Sequence, residues 1–342
     1  MRYLRGTWMR GGTSKCWLFD AEDLAGGDPG EVLAAAFGAG DPRQIDGVGG
    51  ATSTTSKAAL VRRSGAPGID VDYRFAQVGI GARRVEWGSN CGNCATAIGL
   101  YALLTGLIEP ERDRTTVRMR NTNTGTLLAA GIATPGGVVP ETGTAVVPGA
   151  GDGGVPVELA FLDPSGSTTG VLSPTGRPLD RLPVPATLVD AGAPAALIDA
   201  DAAGDLTVDE LIALRRKAAV VMGLSGADDA IPKTGLVGRP RDPGHDLHVR
   251  MVSMLAPHPA VGLTSAVAIT AAAGVEGSVV HRALGGRVPG VLRLGTPAGV
   301  VTVRAEWDSG GRLRAVRLDR AARRIAVAEI SVPLTEDVAL AS

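Results

Sequence analysis

Aromatic residues are scarce in this chain: four tryptophans, three tyrosines and four phenylalanines make up 3% of its 342 residues. Neither sign of charge dominates, with 34 basic against 35 acidic residues and a formal net charge of −1. A nucleic-acid binder needs a cationic stripe and stacking platforms, so nucleic acid is not an expected partner. Long hydrophobic runs are missing too, and residues 1–6 hold no apolar signal core. No membrane partner is therefore expected, and the expected location is cytoplasmic. Three cysteines, an odd number with two close together, do not make a secreted disulfide framework. The four histidines (His245, His248, His258 and His281) form no close ligand pair with them, so no metal is expected. There is no Gly-x-Gly-x-x-Gly turn after a strand and no Walker loop, which leaves no cofactor to expect.

Glycine (48) and proline (22) are plentiful, and they punctuate many short segments rather than forming a tract. Residues 57–62, 69–75, 83–87 and 115–120 are strand-like, several of them alternating apolar with polar side chains. Helical patterns are few: 94–106, 264–274, and 208–223 behind the cap-like Thr207 with Glu210 three residues on. Many short strands with a few apolar helices predict an α+β fold. The length predicts two domains, 1–150 and 151–342, with the junction in the Gly/Pro-rich stretch 134–154. The last strand is free to return to the first domain.

Ser89-Asn90-Cys91-Gly92-Asn93-Cys94 is the most informative segment. It reads as a strand end, a tight turn, and an apolar helix whose first turn carries a cysteine. Unpaired N–H groups and the positive dipole end of such a helix bind carboxylates and lower a thiol's pKa. Three uses stay open for the Cys-x-x-Cys pair: proton transfer beside an anion site, redox exchange, and plain packing, the last favoured for Cys94 one turn inside the helix. A second segment, 256–273, repeats the pattern, with a Gly/Pro turn, the small hydroxyl residues Thr264 and Ser265, then an apolar helix. Two buried helices with anion-friendly starts suggest a pseudo-symmetric pair of halves.

Several stretches resemble the PrpF family of methylaconitate and methylitaconate isomerases and 4-oxalomesaconate tautomerases. They are residues 8–15, 49–57, 89–93, 161–166 and 188–194, together with Arg323-Arg324. The resemblance implies a diaminopimelate-epimerase-like fold, in which each half is a β-barrel-like sheet wrapped around a central helix and the site lies between the halves. It implies a catalytic pair at Lys57 and Cys91. The chain departs from the family pattern at Ala193, Cys16 and Cys94. The second helix start carries no cysteine, which disfavours a symmetric two-thiol racemase.

The implied reaction is a 1,3-proton shift in an unsaturated di- or tricarboxylic acid. It needs a base, an acid, and donors where negative charge develops. Cys91 at a helix start is expected to be partly thiolate, with Lys57 stabilising it or acting as the second proton-transfer group. Carboxylate contacts are expected from Arg10, from the turn Gly11, Gly12, Thr13 and Ser14, and from the hydroxyls of Thr52, Ser53, Thr54, Thr55 and Ser56. Asn90, Gly92 and Asn93 add donors, and His258, Thr264, Ser265 and Ala266 do so from the other half. The partner is then a small polycarboxylate, and a homodimer is compatible with the sequence. Two rivals stand beside this expectation: an amino-acid or hydroxy-acid epimerase of the same fold, and a non-catalytic carboxylate-binding protein.

Overall fold

The computed structural model describes residues 2–88, 90–226, 231–253 and 255–333; Ser89 of the central motif lies outside them. Contacts divide the chain into a first unit of 1–159 with 320–342 and a second of 160–319. The first contains β1 (Arg2–Gly11), β2 (Ser14–Asp20), α1 (Pro29–Phe37), β3 (Lys57–Arg63), β4 (Val71–Val78), β5 (Val85–Glu86), α2 (Gly92–Leu104), β6 (Arg114–Asn121) and β7 (Leu127–Ala133). The chain passes to the second unit within β8 (Val155–Leu162). There follow β9 (Asp180–Arg181), β10 (Pro185–Ala191), β11 (Ala193–Asp199), α3 (Ala200–Ala203), α4 (Val208–Val221), β12 (Lys233–Gly238), β13 (Leu247–Ser253), β14 (Ala256–Pro257), α5 (Leu263–Ala273), α6 (Val279–Ala283), β15 (Val291–Thr296) and β16 (Gly299–Trp307). It returns within β17 (Leu313–Val332). The Gly/Pro stretch 134–154 lies wholly in the first unit, where it makes a bridge between Ala145 and Gly154.

The two units share one strand pattern. In the first, β1–β2, β3–β4 and β6–β7 pair antiparallel, while β2–β3 and β4–β6 pair parallel. In the second, β10–β11, β12–β13 and β15–β16 are antiparallel, and β11–β12 and β13–β15 are parallel. A parallel neighbour demands a long crossover, and helices fill each one. Helix α1 lies in the first crossover of its unit, α3 and α4 in the equivalent place of the other; α2 and α5 occupy the second crossovers.

Helices α2 and α5 are the centres of their units. Helix α2 packs on β1, β2, β6 and β7, and α5 on β10, β11 and β16. Both are apolar on every side, the composition of a helix with no solvent face. Small residues let the strands approach: a Cβ on Gly99 of α2 would lie 2.5 Å from that of Ala130 on β7.

The short α1 is not among the helical patterns read from the sequence; Asp28 caps it (Gly30 N to Asp28 Oδ1, 2.8 Å), Pro29 opens it and left-handed Gly38 ends it. Helix α4 carries the expected Thr207/Glu210 capping box. Strand β4 begins two residues later than its pattern suggests, at Val71, with Gly68 in the turn before it at positive φ. No helix of the described residues is long and apolar enough to cross a membrane.

Candidate active site

Cys91 is the N-cap residue of α2, extended at φ −121° and ψ 99°, and no side chain caps the helix. The first-turn N–H groups therefore keep capacity for an incoming acceptor. Asn90, just before it, accepts a 3.1 Å hydrogen bond from the Tyr73 hydroxyl, while its own Nδ2 is buried without a partner. Asn93, in the first turn, donates from Nδ2 to Thr13 Oγ1 at 3.0 Å. That bond ties the β1–β2 turn, residues 11–14, to the start of α2. Glycine is obligatory there: a Cβ on Gly11 would overlap the Asn93 carbonyl oxygen, and Gly12 sits at φ +52°.

Lys57 opens β3 and is only 8% exposed. Its ammonium donates to Gln77 Oε1 at 2.6 Å and lies 5.0 Å from the centre of the Phe75 ring. Gln77 is held in turn by its own donation to Ser56 O at 2.9 Å. The lysine's hydrogen-bond partner is thus a neutral amide, and its charge acts on both Cys91 and Cys94.

All three cysteines of the chain meet here. The Cys91 thiol hydrogen-bonds Cys94, and Cys94 hydrogen-bonds Cys16 on β2, with Cys16 and Cys94 fully buried. This arrangement reverses one expectation from the sequence. The bond to Cys94 pushes the Cys91 pKa well above its ordinary value, desolvation adds to the rise, and the opposing pull of Lys57 and the Cys94 backbone N–H is weaker. These influences favour the protonated thiol, against the partial thiolate expected from the helix start alone. Its alkylation rate should keep rising with pH beyond the usual thiol range of about 8.5. Replacing Cys94 by alanine removes the largest upward influence, so the rate–pH curve of Cys91 should move to lower pH. Iodoacetamide kinetics followed by peptide mass mapping check this; a Cys94→Ala curve superimposed on wild type contradicts it.

The remaining expected residues divide by what they touch. Arg10 spends its fork on backbone carbonyls: Nη1 donates to Gly12 O (3.1 Å), and Nη2 to Asp152 O (3.1 Å) and Gly153 O (3.0 Å). It holds the turn in shape rather than offering two free donors. The hydroxyls of Thr52, Thr54 and Thr55 bond one another (2.7 and 3.1 Å), and Ser56 is buried, donating to Val78 O and accepting from Gln44. Ser53 is exposed, and Ser14 is buried at the start of β2. Lys15 N donates to Thr54 O, which docks this hydroxyl loop on β2.

His258, Thr264, Ser265 and Ala266 all belong to the second unit. His258 Nδ1 accepts from Ala260 N at 3.0 Å, as a turn residue does, and desolvation holds its pKa below the usual value. Thr264, Ser265 and Ala266 form the buried first turn of α5, whose N-cap Gly262 supplies no side chain.

Three residues of the site are invisible to motif reading. Tyr73 and Gln77 sit on β4 among ordinary alternating strand residues. Arg320 sits on β17, more than two hundred residues from its partner Asn93. Among the described residues, no group of three histidine, cysteine or acidic side chains is placed to hold a metal ion.

The family model for the PrpF protein matches residues 1–333. The (4E)-oxalomesaconate Delta-isomerase of Novosphingobium sp. strain KA1 is 34% identical over 340 residues, covering 93% of this chain and 94% of that protein. The 2-methyl-aconitate isomerase of Shewanella oneidensis is 35% identical over 351 residues, covering 88% of each. The crystal structure of a methylitaconate-delta-isomerase superposes with a TM-score of 0.81 at 29% identity, over 96% of this chain and 95% of that one. A hydroxyproline epimerase from Agrobacterium vitis, 13% identical and covered to 92% over 96% of this chain, shares the fold alone, with a TM-score of 0.55. The fold is thus the α+β, diaminopimelate-epimerase-like one, and this chain, an isomerase, belongs to the PrpF family.

Proposed function

We propose that this isomerase moves a C=C double bond by 1,3-proton transfer in an unsaturated di- or tricarboxylic acid, with Cys91 and Lys57 as its acid/base pair and without a cofactor. One observation carries the reading: a buried lysine bonded to a neutral amide acts electrostatically on a protonated thiol at the uncapped start of a buried helix. The similarity to isomerases named for oxalomesaconate, methylaconitate and methylitaconate supports the substrate class.

The chemistry follows from the positions. In its unprotonated amine form Lys57 takes a proton from a carbon next to the conjugated acceptor and becomes the ammonium, and the electron pair delocalises toward a carboxylate. Donors set against that developing charge stabilise the intermediate: the unpartnered Asn90 Nδ2 and the first-turn N–H groups of α2. The Cys91 thiol then returns a proton two carbons away, and the double bond has moved. Microscopic reversibility exchanges the two roles in the reverse direction.

The epimerase alternative draws no support from the second unit, whose equivalent helix starts with Leu263, Thr264 and Ser265 and has no thiol. Incubation in deuterated water with aconitate-, itaconate- and oxalomesaconate-like acids, followed by proton NMR, tests the proposal. Deuterium should enter at the two allylic carbons of at least one acid as its double bond migrates. Silence across the whole panel rejects the reaction class, and exchange at a saturated stereocentre alone favours epimerisation.

A further inference from the structure

Among the described residues, Arg320 is a charge without a counter-charge. It is 6% exposed, its Nε is buried with no partner among the described residues, and a side-chain hydrogen bond runs from Nη2 to Asn93 Oδ1 at 3.3 Å. The nearest influences on it are desolvation and the Arg10 guanidinium, which together push its pKa down to about 10. Arg10 too has a buried, unpartnered Nε, and it feels a third cation, Arg323. The acid that bears on this group, Asp152, lies 3.5 Å from Arg323 and is largely exposed. Gly12 completes the cradle: a Cβ there would overlap Asn93 Oδ1 and come within 2.8 Å of Arg320 Nη2.

Burying like charges side by side is unfavourable unless an anion arrives to pair them. We propose that Arg320 is the charged receptor for one carboxylate of the substrate, set between the 11–14 turn and the first turn of α2, and that Arg10 is a positioning residue for that turn. The inference rests on the polycarboxylate reading above and adds the residue that selects for charge. The guanidinium fork of Arg320 is the match for a planar carboxylate, whereas Arg10 has committed its own fork to three carbonyls. Asn93 links the two events, because the same side chain contacts Arg320 and Thr13 two residues from Cys91.

A binding residue of this kind lowers the stability of the empty protein, so its removal has a signature that a structural arginine lacks. The test compares wild type with Arg320→Gln by thermal melting and calorimetry, using tricarballylate, a saturated tricarboxylate that cannot be isomerised. Empty Arg320→Gln should melt at or above wild type, since it sheds a desolvated charge. Its affinity for tricarballylate should fall about 10- to 100-fold, the loss of one charged hydrogen-bonding pair. Cys91→Ser, measured alongside, should keep wild-type affinity. If tricarballylate stabilises both wild type and Arg320→Gln equally, or if empty Arg320→Gln melts far lower, the assignment of Arg320 is wrong and the polycarboxylate reading stands. If tricarballylate and its unsaturated analogues leave wild type unshifted, the substrate class itself is wrong and the assignment goes with it. Equal stabilisation by inorganic phosphate overturns selectivity for carboxylate.

Discussion

Cys91→Ala and Lys57→Met should each lower kcat/KM for the isomerised acid by about 10²- to 10⁴-fold, the range for a positioned proton-transfer group, without changing the fold. Both side chains lie at element starts, one at the N-cap of α2 and the other at the first residue of β3, and neither fills the centre of the core. The two variants should nevertheless differ in one readout. A thiol that rests protonated is the donor, so Cys91→Ala keeps the base and should still wash solvent deuterium into unreacted substrate. Lys57→Met should lose isomerisation and wash-in together. Quenched time courses by mass spectrometry separate the cases. Wash-in by Lys57→Met but not by Cys91→Ala reverses the two roles, and full activity in either variant removes that residue from the chemistry.

Gly11→Ala should have the largest effect on stability. Its Cβ would collide with the backbone carbonyl of Asn93 and press on Ala97 N at 3.1 Å, and neither is a flexible side chain that can turn away. Relief requires α2 to shift from β1, the strand it packs on, so the cost is that of overpacking, on the order of 1–3 kcal/mol. For a unit of this size, that lowers the melting temperature by roughly 2–12 °C. The first turn of α2 moves with the helix, so kcat/KM should fall even at temperatures where the variant is fully folded. Gly40→Ala is the control, because a Cβ there meets nothing within 4 Å. Equal melting of Gly11→Ala and Gly40→Ala would show that the close approach of β1 and α2 is not what the glycine serves.

How far local chemistry reaches is clear from particular residues. Thr207 and Glu210 cap α4 across three residues, and the unbroken apolar character of α2 and α5 admits no partly exposed helix. The alternation in β6 names its buried face directly. Cys91 and Lys57 stand out because a turn before a buried helix and a Ser/Thr-rich loop before a strand are local signals, and the family resemblance pairs them.

Other features need partners distant in the chain. The direction of the Cys91 pKa shift is decided by a thiol network that includes Cys16 on β2, and Arg320 reaches the site only through the pairing of β17 with β1. By itself, then, the sequence determined the fold class, the two central helices and the two candidate side chains, Cys91 and Lys57, because capping, periodicity and composition act within a few residues. Tertiary structure alone decided that the Cys91 pKa is pushed up, that Gln77 holds the lysine, that Arg10 is spent on carbonyls and that Arg320 lacks an acidic partner among the described residues. Desolvation and charge pairing depend on which strands become neighbours, and no local pattern carries that information.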